Sequence, residues 1–125
     1  MISYATFGTN DMARSIAFYD PVFAALGGKR ESTSATWTGY GRPGDRGRFF
    51  LTRPFDRAAA QGGNGGMLAF LAPDRAAVDA FHAAALANLG TCEGPPGVRE
   101  GMDPVFYAAY VRDPDGNKLC AYVRK

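Results

Sequence analysis

A single histidine, His82, and only two cysteines, Cys92 and Cys120, stand in 125 residues. One imidazole excludes a two-histidine metal site or a histidine relay within one copy of the chain. Only a symmetric oligomer could bring two together. No uninterrupted apolar run approaches membrane-spanning length, and Met1 to Phe7 passes straight into Gly8, Asn10 and Asp11 with no charged leader and apolar stretch. Membrane insertion is therefore not expected. Charge of one sign is scarce too, since 14 basic and 12 acidic residues leave +2. The only basic cluster, Arg42, Arg46, Arg48 and Arg53, is broken by Asp45 and glycines, so nucleic acid is not an expected partner. Zinc-finger, phosphate-loop and Rossmann glycine patterns are missing as well. Gly62, Gly63, Gly65 and Gly66 precede a strand where a phosphate loop would follow one, and they read as a linker over 62–65.

What is present is the composition of one ordinary globular domain, with 46% hydrophobic and 21% charged residues. A chain of this size buries enough apolar surface to need neither disulfide nor structural metal. Both cysteines are expected as free thiols in a reducing cytoplasm.

An internal repeat organises the chain. A shift of 63 positions superposes Phe7, Asp11, Ala13, Ala17, Phe18, Ala24, Leu26 and Gly27 on identical residues, eight identities in 21 positions. A shift of 70 then pairs Tyr40 with Tyr110, Arg42 with Arg112, Asp45 with Asp115 and Arg48 with Lys118. The single domain 1–125 is thus two copies of one unit, 1–61 and 66–125.

Each unit opens with a strand, 2–8 and 67–72, followed by a helix started at Asn10-Asp11 and at Pro73-Asp74. Met12, Ile16, Tyr19, Phe23 and Leu26 in the first helix, and Val78, Phe81, Ala85 and Leu89 in the second, recur at helical spacing and mark core. Pro21 is expected to kink or split the first helix. Gly27-Gly28 and Gly90 are natural stops. Extended segments are expected at 33–40, 47–53, 105–112 and 118–123. Between the last two, Asp113-Pro114-Asp115-Gly116-Asn117 predicts a tight hairpin that sets Asp113 opposite Asn117, Tyr110 opposite Cys120 and Ala108 opposite Tyr122. The segment 94–104, rich in glycine and proline, reads as an extra loop of the second unit.

The repeated unit ending in Val111-Arg112-Asp113-Pro114-Asp115-Gly116-Asn117-Lys118-Leu119, with Asn10-Asp11-Met12-Ala13-Arg14-Ser15-Ile16-Ala17-Phe18-Tyr19 near its start, resembles the vicinal oxygen chelate superfamily. That group holds glyoxalase I, bleomycin-resistance proteins and extradiol dioxygenases. The resemblance spans essentially the whole chain and is nearest to small bacterial glyoxalase-like proteins. It implies an α+β fold of two βαβββ repeats that form an incomplete, antiparallel-rich β-barrel cup with helices outside. It also implies a homodimer.

In that superfamily a divalent metal is held at four strand positions carrying His, Glu or Gln. Carried onto this chain they are Tyr4, Phe50, Met67 and Cys120. The repeat supports the same set, since Tyr4 and Met67 are related by the first shift, Phe50 and Cys120 by the second. None is an imidazole or carboxylate, so neither a metal nor another cofactor is expected. Strand alternation adds Thr6, Thr38, Tyr40, Thr52, Ala69, Leu71, Phe106, Ala108, Tyr110 and Tyr122 to the same wall. Of these, Thr6, Tyr40, Phe106, Tyr110 and Tyr122 join the four as candidate ligand-binding residues.

A wall of aromatics, hydroxyls and a thioether suits a small apolar or aromatic molecule. Metal-independent binding is the leading expectation. The alternatives are a divergent lyase or isomerase in which Cys120 or Tyr110 moves protons, and a cup filled by its own side chains. A metal-dependent glyoxalase or dioxygenase would require a different ligand set. His82, on the second helix, reads as a packing residue away from the cup, and Cys92 as an incidental thiol. Asp113 and Asp115 read as turn residues, not as paired catalytic carboxylates.

Overall fold

A computed structural model describes all residues from Met1 to Lys125. The first unit contains β1 (Tyr4–Gly8), α1 (Met12–Ala25), β2 (Lys29–Thr33), β3 (Trp37–Gly41) and β4 (Arg48–Thr52). The second contains β5 (Leu68–Leu71), α2 (Arg75–Ala87), β6 (Thr91–Val98), β7 (Phe106–Arg112) and β8 (Lys118–Arg124). Each unit makes its own mixed four-stranded sheet, in the orders β1-β4-β3-β2 and β5-β8-β7-β6. The opening strand runs parallel to the last strand of its unit in both. Two helices and eight strands in two such sheets, with no closed barrel, form the expected α+β architecture.

Both helices begin where an aspartate accepts a backbone N–H three residues on. Asp11 takes that of Arg14 at 3.0 Å and Asp74 that of Ala77 at 2.8 Å, satisfying donors that the first helical turn leaves free. Helix α1 runs unbroken through Pro21, so of the expected kink or split the split does not occur. A proline inside a helix costs about 3 kcal/mol, but Phe18, Tyr19, Val22 and Phe23 are all buried around it. Burial of each is worth about 1.5–3 kcal/mol, so packing outweighs the lost hydrogen bond. The stop of α2 also differs from expectation. Leu89, not Gly90, takes the left-handed backbone with φ 71°, a costly conformation for a γ-branched side chain. Gly90 is needed for space: a Cβ there would lie 2.6 Å from the Phe18 ring and 2.7 Å from the Ala85 carbonyl.

The 91–98 segment is strand β6, although its Gly-Pro-Pro-Gly composition reads as loop. Two register breaks, after Cys92 and after Gly94, absorb the two prolines at the sheet edge. The loop proper is confined to 99–105. The β7-β8 hairpin has the expected register, with Tyr110 opposite Cys120 and Ala108 opposite Tyr122. Its turn closes through Asp113 N–H to Asn117 O at 2.9 Å, with Gly116 at φ 88°.

One core joins the units. The helices pack on each other, and residues of both sheets, Phe49 and Leu51 in β4 with Val111, Leu119 and Ala121 in β7 and β8, share a single buried cluster with them. Phe23 of α1 stands edge-on to Phe70 of β5 at 5.2 Å between ring centres. Polar ties reinforce this: the 113–117 turn docks on the start of the first unit. Tyr19 donates to Asp113 Oδ2 at 2.6 Å, Arg14 to Asp115 Oδ1 at 2.7 Å, and Asn117 to the Gly8 carbonyl at 3.2 Å. In the pseudo-symmetric place, Arg42 donates to the Leu71 carbonyl at 2.9 Å.

Candidate functional site

Because the helix-bearing faces of both sheets turn inward to a shared core, the opposite faces turn outward. No strand of one sheet runs alongside a strand of the other; the sheets meet through core side chains such as Phe49 and Phe70, 5.9 Å apart between ring centres. Tyr4 is 56% exposed, Leu71 54%, and Trp37 and Met67 each 44%. Each open face thus carries large apolar side chains exposed to solvent, surface of the kind that suits a contact with another molecule.

In the first unit this face is aromatic. Phe50 stands between Tyr4 and Trp37, with ring centres at 5.6 Å and 5.7 Å and interplanar angles of 89° and 70°. These are edge-to-face arrangements that ring quadrupoles favour. Gly39, opposite Phe50 in the sheet, makes the room, since a Cβ there would lie 2.7 Å from the Phe50 ring. Thr6 lies on the same face of β1 and is exposed.

In the second unit, Cys120 lies between Tyr110 and Tyr122 on paired strands. Phe106 packs on Tyr122 at 5.4 Å, and Met67 immediately precedes β5. Arg99 lies over the Tyr110 ring at 5.1 Å while its guanidinium donates to the Pro95 and Ala108 carbonyls, and Lys118 approaches that ring at 5.6 Å. Burial pushes the Cys120 thiol up to about 11, against a smaller opposing pull from Tyr110, Arg99 and Lys118. Burial and the neighbouring thiol likewise raise Tyr110. Both groups therefore keep their protons at neutral pH. Cys120 is no ready nucleophile there, because the thiolate is the reactive form.

Tyr40 does not belong to this face. It is fully buried on the helix side, stacked on Phe23 at 4.7 Å with its hydroxyl donating to Asp20 at 2.7 Å. Thr38 accompanies it and donates to Met12 Sδ. The reason is a one-residue difference between the two hairpins. Tyr110 opposes Cys120, ten positions on, but Tyr40 opposes Phe49, nine positions on, so the first hairpin is paired one residue out of step with the second. A slip of one residue exchanges the faces of a strand. Trp37, Arg99 and Lys118 belong to the open faces and escaped the sequence reading. Trp37 carries no sequence signal, because the 70 shift runs without a gap from Tyr40 to Arg48 and hides the changed pairing; nor does Arg99, which is placed by its hydrogen bonds to the Pro95 and Ala108 carbonyls.

Within one chain Tyr4 and Phe50 stand on one outward face, Met67 and Cys120 on the other. The four positions are thus two pairs, not one constellation. Their donors do not suit a divalent cation: a phenyl ring has none, a thioether is soft and neutral, and the thiol holds its proton. No group of three or more His, Cys, Asp or Glu side chains is gathered anywhere in the chain.

Two βαβββ units around a common helical core, each presenting an open sheet face, define a glyoxalase-type scaffold. Residues 1–121 match the Glyoxalase/Bleomycin resistance protein/Dioxygenase superfamily, and the chain belongs to that family. It is similar to a glyoxalase/bleomycin resistance protein of Albidiferax ferrireducens T118, with 41% identity over 100% of this chain and 99% of that one, at a TM-score of 0.87. A glyoxalase-related enzyme from Fulvimarina pelagi shares the fold at 16% identity, with 98% of this chain and 87% of that one covered and a TM-score of 0.78. A lactoylglutathione lyase from Agrobacterium tumefaciens does so at 22%, with 98% and 92% covered and a TM-score of 0.67. No curated protein matches the chain. No helix is long and apolar enough to cross a membrane.

Proposed function

We propose that the chain is a metal-independent binding protein of the glyoxalase and bleomycin-resistance type, taking a small apolar or aromatic molecule. Its cup is completed in a homodimer, where the Tyr4-Phe50-Trp37 face of one copy meets the Met67-Cys120 face of the second. The carrying observation is that the four positions where the family places metal ligands hold Tyr, Phe, Met and a protonated Cys, flanked by the Tyr4-Phe50-Trp37 and Phe106-Tyr122 ring groups. Such walls recognise a flat apolar ligand by stacking and shape, with Thr6, Tyr110 and Tyr122 hydroxyls available for orientation. The outward exposure of both faces supports the dimer, since a second copy buries both in one step.

The only tryptophan, Trp37, stands on this wall, so its emission reads occupancy. Protein purified without chelator should carry well under one transition-metal atom per chain, and a naphthalene-type fluorophore should quench Trp37 saturably, displaceable by small aromatics. Light scattering should give twice the chain mass. Stoichiometric nickel, zinc, iron or manganese would return the chain to metal-dependent glyoxalase or dioxygenase chemistry. A monomer, or a Trp37 unmoved by any aromatic, would overturn the shared cup.

A second reading rests on the Tyr110 and Cys120 side chains, which adjoin across the β7-β8 ladder with their protons retained. In a lyase or isomerase of a small carbonyl compound, Tyr110 would be the proton donor. Turnover lost in Tyr110→Phe with ligand binding intact would favour that reading.

A further inference from the structure

On the helix side of the second sheet, α2 and the edge strand β6 bring together the only histidine and the exposed cysteine. His82 Nε2 lies 3.2 Å from Cys92 Sγ. Cys92 pairs in the sheet with Val111, a core residue under α2, so its side chain stands on the helix side and not in the cup. The thiol is solvent-accessible and the imidazole half-buried. Burial lowers the His82 pKa, with Asp79 acting against it, so the ring is neutral at neutral pH and, in the tautomer protonated at Nδ1, Nε2 accepts a proton. Asp79, one turn earlier on α2, is held by the Tyr107 hydroxyl at 2.6 Å, and Arg75 lies over that ring. Its carboxylate favours the imidazolium that forms when the proton moves. Glu93, beside Cys92, is neutralised by Arg112 at 2.6 Å and does not oppose a thiolate. None of this depends on the cup or its ligand.

We propose that His82 and Cys92 form a thiol-exchange site that takes low-molecular-weight disulfides. His82 accepts the thiol proton and Cys92 Sγ attacks one sulfur of the disulfide. A new S–S bond to Cys92 forms while the disulfide bond breaks, and the departing thiolate takes the proton back from His82. Cys92 is oxidised to a mixed disulfide and one equivalent of small thiol is released, so the exchange needs no other oxidant. The edge position of β6 leaves room for the adduct, and Cys120 is shielded by burial from the same chemistry.

The test uses full-length protein and neutral 2-hydroxyethyl disulfide at pH 7, with the adduct counted by intact mass and located by peptide mapping. One adduct at Cys92 is expected, formed about tenfold or more faster than on a Thr-Cys-Glu tripeptide, as a base-assisted thiol requires. His82→Asn and His82→Gln should both bring the rate to within about twofold of the tripeptide, with melting curves confirming that each variant is folded. Cys92 reacting at the tripeptide rate overturns the proposal. So does an unchanged rate in both folded His82 variants, or modification at Cys120 in its place.

Discussion

Removing one oxygen atom by Tyr19→Phe tests how the two units are held in register. Tyr19 is fully buried, and its hydroxyl donates to Asp113 Oδ2 at 2.6 Å across the boundary between the units. Burial raises the Asp113 pKa, while Tyr19, Asn117 and Asp115 hydrogen bonds pull it down. The ring stays in place in the variant, so the loss is that of one hydrogen bond to a buried carboxylate, about 1.5–3 kcal/mol. For a domain of this size that is a fall in Tm of roughly 5–12 °C. The pH dependence has a definite sign. A folded-state pKa above the ordinary carboxylate value gives the wild type stability that is present at acid pH and lost as pH rises through that pKa. The Tyr19 bond stabilises the ionised form, so Tyr19→Phe raises the pKa further. The penalty should be full at pH 7 and shrink as pH falls through the folded pKa. Urea unfolding of both proteins at pH 7 and near pH 4 measures it. A loss under about 0.5 kcal/mol at pH 7, the level of a surface change, would refute the assigned bond. A penalty that grows on acidification would refute the protonation assignment.

Gly39→Ala puts a Cβ 2.7 Å from the Phe50 ring and 2.8 Å from Ser32 Oγ. The ring must swing from its edge-to-face position, so Trp37 emission should shift and stability fall by about 1–3 kcal/mol, both read in one fluorescence-monitored unfolding experiment. Native Cys120, its thiol near 11 against an ordinary value of 9.0, should resist iodoacetamide up to pH 9 while Cys92 labels, and both should label in denaturant; early native labelling of Cys120 would contradict its burial. The same raised value makes native stability fall as pH rises from about 9 towards 11, and Cys120→Ala should remove that part of the alkaline decline in thermal melts.

Period and symmetry made most of the fold legible. The two repeat shifts place β1 against β5, α1 against α2, and β4 against β8; the strand correspondences appear in the sheet orders and the helix correspondence in the order of elements. Turn chemistry located the β7-β8 hairpin to the residue. What failed were places where tertiary packing overrides local preference. Four buried residues carry α1 through Pro21, and an edge position lets β6 tolerate two prolines. In both cases the cost is local and small, and the compensating burial or solvation comes from partners distant in sequence.

The site was legible only as far as the repeat is exact. Phe50 and Cys120 are equivalent by sequence shift and lie on corresponding faces, because β4 and β8 both pair with the opening strand of their unit. Tyr40 and Tyr110 are equivalent by the same shift yet lie on opposite faces, because equivalence across a hairpin also requires the same pairing register, and Tyr40 opposes Phe49 where Tyr110 opposes Cys120. The position vacated by Tyr40 is taken by Gly39, and that small residue is what allows Phe50 to sit between Tyr4 and Trp37. The shifted register therefore moves one aromatic into the core, where Tyr40 stacks on Phe23, and opens space on the outward face for another. Divergence of the halves by a single residue is enough to make one face a wall of three rings. The other keeps its tyrosines around a buried thiol, so the two open faces are chemically distinct, and in the proposed shared cup a ligand would have one preferred orientation at each of two symmetry-related sites.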